Sequence, residues 1–330
     1  MMLEMMTISA LAYQVDEFIE THASLLSADN LGALKLSIPT LVTEAMTSAD
    51  EYMAWQEALN DDALPNHQLH RYKHYGVTCG DEHLKTSLPK ENESNCHEEL
   101  NCTVQKTIQQ FISYMCRAFS ARHATVYIRT QLEDSLADYI IGHLSQAEAN
   151  RRLATQRPEN GEELKILQQA GQSLLRWTRT TSGDQTMGRL ATWLIFSLLG
   201  STGGKKHDPL PSPRSKYVAE DVARHLAASC RLYNDIGSMS RDRDEDNLNS
   251  VNFTEFSDLN TLAADRELMH IADYERRCLD SAMEELKGHI HGEDYEALAT
   301  FCSTADVYSE MYVLQDMTPH NKPGKPAKNQ

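Results

Sequence analysis

Residues 226–242 read LAASCRLYNDIGSMSRD and place Asn234, Ser238 and Asp242 four residues apart, twice over. On an α-helix that spacing stacks three oxygen-bearing side chains on one face, each one turn above the last. Amide, hydroxyl and carboxylate oxygens are hard ligands, suited to Mg2+ and poorly suited to zinc or copper. Arg241 and Arg243 add positive charge beside that face, where a phosphate bridging the metal would lie. The preceding turns are apolar (Leu226, Ala227, Cys230, Leu232), so the stripe continues a buried helix, and buried polar groups need partners. An acid-poor metal face flanked by arginines reads as a site for a magnesium-chelated diphosphate.

Outward from this stretch, helical periodicity dominates and strand signals are nearly absent. The pattern predicts helices over 3–27, 30–58, 103–121, 125–155, 160–178, 186–200, 216–243, 258–289 and 292–316. Pro39 falls near the start of the second or at a kink. Residues 60–102 are polar and irregular, with His67, His70, His74, His83, Pro65 and Pro89, and read as a long loop or insertion. Residues 201–214 (STGGKKHDPLPSPR) form a Gly/Pro/Ser-rich loop that lacks phosphate-loop spacing. The tail 318–330 is disordered by composition. The expected organisation is one all-α domain over 1–317.

The net charge of −17 excludes nucleic acid and anionic membranes as partners, since both require a basic surface. It does not exclude a diphosphate, whose binding depends on local arginines and metal. Seven cysteines occur without CxxC pairs, so reduced thiols and a cytoplasmic setting are expected. The first residues, MMLEMM, form no basic leader, so no signal peptide is expected. The longest apolar run, 190–199, is shorter than the roughly 20 residues needed for a membrane span.

NDIGSMSRD resembles the second metal-binding motif of class I terpene synthases, the Asn/Asp-Asp-x-x-Ser/Thr-x-x-x-Glu/Asp pattern. Its flanks, AEDVARHLAASCRLYNDIGSMSRDRDEDNLNSVNF (219–253), resemble the C-terminal class I domain of fungal bifunctional diterpene cyclases of the copalyl diphosphate synthase/ent-kaurene synthase type. RWTRTTSGDQT (176–186), IIGHLSQAEANRRL (140–153) and TADVYSEMYVLQD (304–316) fit the same domain. The resemblance implies an α-helical barrel with two acidic motifs on opposing helices that together hold Mg2+ on a prenyl diphosphate.

The first motif of that family is usually DDxxD, and the fungal cyclases carry a DExxE variant; DEFIE at 16–20 fits it. Asp16 and Glu20 lie one turn apart on one face, where paired negative charge calls for a cation between them. The two motifs are 218 residues apart (234 minus 16), and the helices that precede the first motif in the family are expected to be missing. Arg189 lies close to where related enzymes place a diphosphate-sensing arginine, and Arg179 lies in a segment shared with the fungal group. Both are diphosphate-binding candidates, as are Arg241 and Arg243. No Arg-Tyr pair occurs in the last helix, where Tyr308 and Tyr312 stand without a basic neighbour.

The implied reaction is Mg2+-dependent ionisation of a C15–C20 prenyl diphosphate, linear or precyclised, followed by carbocation cyclisation to a terpene in secondary metabolism. Phe18, Tyr13, Trp177, Trp193, Phe196 and Tyr233 are candidate pocket aromatics, whose faces would stabilise cations. No DxDD motif for protonation-initiated cyclisation is present. The competing expectation is a non-catalytic remnant or partner subunit of a cyclase, and a third is capture of the cation by another nucleophile. Apolar helix faces left by missing helices would call for a homodimer, or for a companion cyclase or prenyltransferase.

Overall fold

The computed structural model describes residues 2–60, 93–120, 124–156, 164–167, 171–200 and 207–314. Four long helices come first: α1 (Met2–Ala23), α2 (Ala28–Asn60), α3 (Glu93–Ser120) and α4 (Val126–Thr155). A broken stretch follows, α5 (Leu174–Arg176), a π-helical turn (Trp177–Thr181) and α6 (Ser182–Asp184), then α7 (Gly188–Leu199). The chain continues through α8 (Pro213–Glu245), two 3-10 turns (Ser250–Asn252 and Thr254–Phe256), α9 (Thr261–Lys287) and α10 (Gly292–Leu314). Among the described residues there is no strand, so the fold is all-α, as the periodicity predicts.

Helix ends follow from local chemistry. Ser212 and Ser215 form a reciprocal capping box with Pro213 at the first position of α8, which starts the helix three residues before the apolar pattern does. Asp246 ends α8 in the left-handed conformation, at φ 59°. Asn260 caps α9 by accepting from the Ala263 amide.

Two expectations need correction. α3 begins at Glu93, ten residues earlier than the pattern indicates, so the end of the 60–102 segment is helical. Its first turns are polar, but Leu100, Val104 and Ile108 recur at helical spacing against the core and draw the preceding residues into the helix. Residues 164–167 and 171–173 are not helical, contrary to the expected helix over 160–178. Leu167 donates its amide to the Asn252 carbonyl at 2.7 Å, and Asn252 donates to the Lys165 carbonyl at 2.8 Å. Pairing with the 3-10 turn replaces helical bonding there, with Leu164 and Leu167 buried. Pro39 lies well inside α2. The rest of the polar insertion with its histidines, residues 201–206 and the expected tail lie outside the described residues.

The apolar side chains form two cores. One joins α1–α4, α7, the first half of α8 and α10, through residues such as Ile19, Ile38, Met115, Ile140 and Phe196. The other gathers Trp177, Leu232, Phe253, Phe256 and Leu268 around the second half of α8 and the start of α9. Each fully buried Leu, Ile or Phe contributes about 1.5–3 kcal/mol. α8 runs along α9 and packs on α7 and α10, so it spans both cores. Glycines allow the closest crossings. A Cβ at Gly188 would press on Ala227 of α8, and one at Gly237 would clash with the Tyr312 carbonyl of α10.

Candidate metal and diphosphate site

The parallel register of α1 and α4 builds the first half of the site. Tyr139 donates its hydroxyl to the Ala12 carbonyl at 2.9 Å. One turn further along each helix, Asp16 meets His143, with carboxylate Oδ1 and ring Nδ1 2.6 Å apart. The two atoms are close enough for an ion pair, and His143 Nε2 is buried without a hydrogen-bond partner. Glu20 follows one turn after Asp16, and ligand atoms of Asp16, Glu20 and His143 all lie within 4.8 Å of one another.

Glu20 is exposed as a residue, yet its carboxyl is crowded by protein. Burial of that carboxyl, reinforced by the Asp16 charge, pushes its pKa up to about 7. Burial opposes a charged ring at His143, but the Asp16 carboxylate and then Glu20 outweigh it, and its pKa rises.

The second half stands on α8. Ser238 donates to Asp242 Oδ2 at 2.6 Å, and Asn249 donates to the same oxygen at 2.9 Å and to the Asp235 carbonyl at 2.7 Å. Burial and then the Asp235 charge raise Asp242 to about 6, against these two hydrogen bonds. Asn234 is half-buried, one turn before Ser238. Asp235 is fully buried, and accepts from the Ser250 amide and hydroxyl at 2.9 and 2.6 Å. It thereby clamps the segment that carries Asn249.

The charges of the two halves reach each other. Asp242 raises the pKa of Glu20, and Arg231 lowers those of Glu20 and His143. Arg241 acts likewise on Tyr13 of α1. Charges on the acidic face of α1 and on the polar stripe of α8 therefore act on one another, although 218 residues separate Asp16 and Asn234 (234 minus 16). Arg231 donates to Gln185 Oε1 at 3.1 Å and to the Leu248 carbonyl at 3.2 Å, and stands 2.8 Å from Asp235 Oδ1.

The arginines singled out in the sequence divide. Arg241 lies 3.6 Å from Asp242 Oδ1, and Arg243 is exposed at a small cleft beside Asp242 lined also by Lys165, Met239 and Asn249. Arg179 and Arg189 are committed elsewhere. Arg179 donates from Nε and Nη2 to one oxygen of Glu275, which is 2 % exposed and also contacts His225 at 2.7 Å. Arg189 is buried between Asp138, at 2.5 Å, and Asp184, at 3.5 Å. The buried Arg189 guanidinium and the buried Glu275 carboxylate each need a partner, because an unpaired buried charge is costly. Trp193 and Phe196 pack with Tyr127 in the first core, and Trp177 packs on Phe253 in the second. Tyr13 is exposed, Phe18 stacks on His22, and Tyr233 donates to Asp273.

Three site residues escaped the sequence reading. His143 is a lone histidine with no local signature, and only the α1–α4 register brings it to Asp16. Asn249 lies seven residues past Asp242, beyond the helix. Arg231 did carry a signal, because it lies three residues before Asn234 on the same helical face.

No family model matches the sequence, and no solved structure matches it. Among curated proteins, it is 28% identical to a pimaradiene synthase of Emericella nidulans over 95% of this chain and 31% of that protein. It is 24% identical to an ent-kaur-16-ene synthase of Fusarium fujikuroi over 96% of this chain and 31% of that protein. A bifunctional premutilin synthase of Clitopilus passeckerianus is 30% identical over 47% of this chain and 17% of its own length. The chain spans about a third of the length of the first two relatives. This likeness along nearly the whole chain makes the protein a homologue of the fungal diterpene synthases.

Proposed function

We propose that this chain ionises a C15–C20 prenyl diphosphate, linear or precyclised, and guides the resulting carbocation to a cyclic terpene. The observation that supports this reading is that the Glu20 carboxyl, in one cluster with Asp16, feels the charge of Asp242 on the helix face that carries Asn234 and Ser238. The donors fit Mg2+: they are mainly hard oxygens, and one oxygen each of Asp16 and Glu20 lies in that cluster. When bound, magnesium would neutralise charge building on a departing diphosphate. Asp16 and Glu20 would hold cations from the α1 side, and Asn234, Ser238 and Asp242 from the α8 side. Arg241, Arg243 and Arg231 would add positive charge that stabilises the leaving group. Arg179 and Arg189 would reach it only by exchanging their carboxylate partners. The Ser238 and Asn249 hydrogen bonds would fix the rotamer of Asp242.

Among the described residues no helix is long and apolar enough to cross a membrane, which suits a prenyl diphosphate met in water. Val307, Tyr308, Met311 and Leu314 leave an exposed apolar stripe on α10, which supports a homodimer or a companion cyclase or prenyltransferase. The test is to incubate the purified chain with Mg2+ and geranylgeranyl, farnesyl or copalyl diphosphate in turn. Hydrocarbons, released pyrophosphate and mass in solution are measured together. Turnover that disappears in Asn234→Ala and Asp242→Ala, with folding retained, is the expected result. Turnover retained in both variants refutes the metal assignment, and silence of the folded parent with every substrate favours the non-catalytic remnant.

A further inference from the structure

His143 is the least explained polar group of the site. It is 3 % exposed, on the inner face of α4, with Tyr139 edge-on at 4.6 Å. Nε2 makes no hydrogen bond, although buried imidazoles are ordinarily paired. Nδ1 faces Asp16 Oδ1 at 2.6 Å, with a Glu20 carboxylate oxygen in the same small cluster. Two acidic side chains alone would make an oxygen-only site. A buried imidazole in the same cluster, with Nε2 unpartnered, makes a mixed nitrogen–oxygen site.

We infer that His143 is a cation ligand beside Asp16 and Glu20, and that it tunes the first motif toward Mn2+ or Co2+ over Mg2+. The inference rests on reading Asp16 and Glu20 as cation ligands. Magnesium prefers oxygen and gains little from an imidazole, whereas affinity for nitrogen donors rises from Mn2+ to Co2+. The two motifs then differ in kind: α8 offers oxygens only, and α1 with α4 offers two carboxylates and an imidazole. Among the described residues no cysteine belongs to this cluster.

The test needs no substrate. The purified chain is titrated with Mn2+ and followed by pulsed electron paramagnetic resonance, which detects a directly bound imidazole nitrogen. Affinities for Mn2+, Co2+ and Mg2+ are measured in the parent, in His143→Asn and in Asp16→Asn. We expect nitrogen coupling in the parent and none in His143→Asn. In that variant Mn2+ and Co2+ affinity should fall about tenfold or more, and Mg2+ affinity less than about threefold. Asp16→Asn should weaken all three ions. Bound Mn2+ without nitrogen coupling in the parent overturns the inference while leaving the carboxylate reading standing, and it needs no variant to fold. An equal fall for Mg2+ and Mn2+ in His143→Asn also overturns it. No binding of any divalent ion by the folded parent overturns the carboxylate reading as well. Cyclase activity, present or absent, decides neither point.

Discussion

Asp242 on α8 and Asp16 on α1 are held in different ways. Asp242 has two side-chain donors, Ser238 and Asn249, and the segment carrying Asn249 is clamped by the fully buried Asp235. Asp16 has only the contact with His143, and a like charge at Glu20 one turn away. The α8 half is thus rigid before any ligand arrives. The α1 half sets two carboxyls one turn apart against a single imidazole, and the crowding raises the pKa of both Glu20 and His143. Ligand binding should therefore stabilise the α1–α4 contact more than α8.

The largest consequence concerns activity at the α1 half. Asp16→Ala and Glu20→Ala should each lower Mg2+-dependent pyrophosphate release about 100-fold or more, a loss typical of removing transition-state charge stabilisation. Glu17→Ala should stay within about threefold, because Glu17 points about 100° away around the helix. Equal tolerance of all three variants would move the first motif elsewhere.

At the α8 half, Asn249→Ala removes one donor from Asp242 and leaves Ser238. A loss of about tenfold in activity is expected, the scale of disturbing a group that orients a metal ligand. The variant should also be less stable by about 1–3 kcal/mol, since the Asp235 carbonyl loses its partner, as read from chemical denaturation. An unchanged rate and an unchanged midpoint together would show that the rigidity of this half has no role.

The smallest effect inverts the usual sign. In the presence of EDTA, Glu20→Gln should raise the melting temperature, because it removes a carboxylate that crowds Asp16 and feels Asp242. Excess Mg2+ should then stabilise the parent more than the variant. A lower melting temperature for Glu20→Gln in EDTA would mean that the α1 half is balanced without a cation.

Much of this was legible in the chain itself. Three-four spacing of apolar residues marked most of the helices. The i, i+4, i+8 spacing of Asn234, Ser238 and Asp242, and the i, i+4 spacing of Asp16 and Glu20, put each set on one helical face. Those relations are local and follow from 3.6 residues per turn. Local pattern failed where partners were distant. Residues 164–167 gave up helical bonding because Asn252 supplied other hydrogen bonds. Arg179 and Arg189 looked available for a diphosphate until burial paired them with Glu275, Asp138 and Asp184. His143 could be placed beside Asp16 only by the register of α1 on α4, which the Tyr139–Ala12 hydrogen bond and the shared core set. The sequence by itself therefore determined most of the helices and the two polar faces, because both depend on neighbours within two turns. That charges on the two faces act on one another, and which charged groups pair within the protein, was decided by tertiary packing, because burial sets the cost of an unpaired charge and distant segments supply its partner.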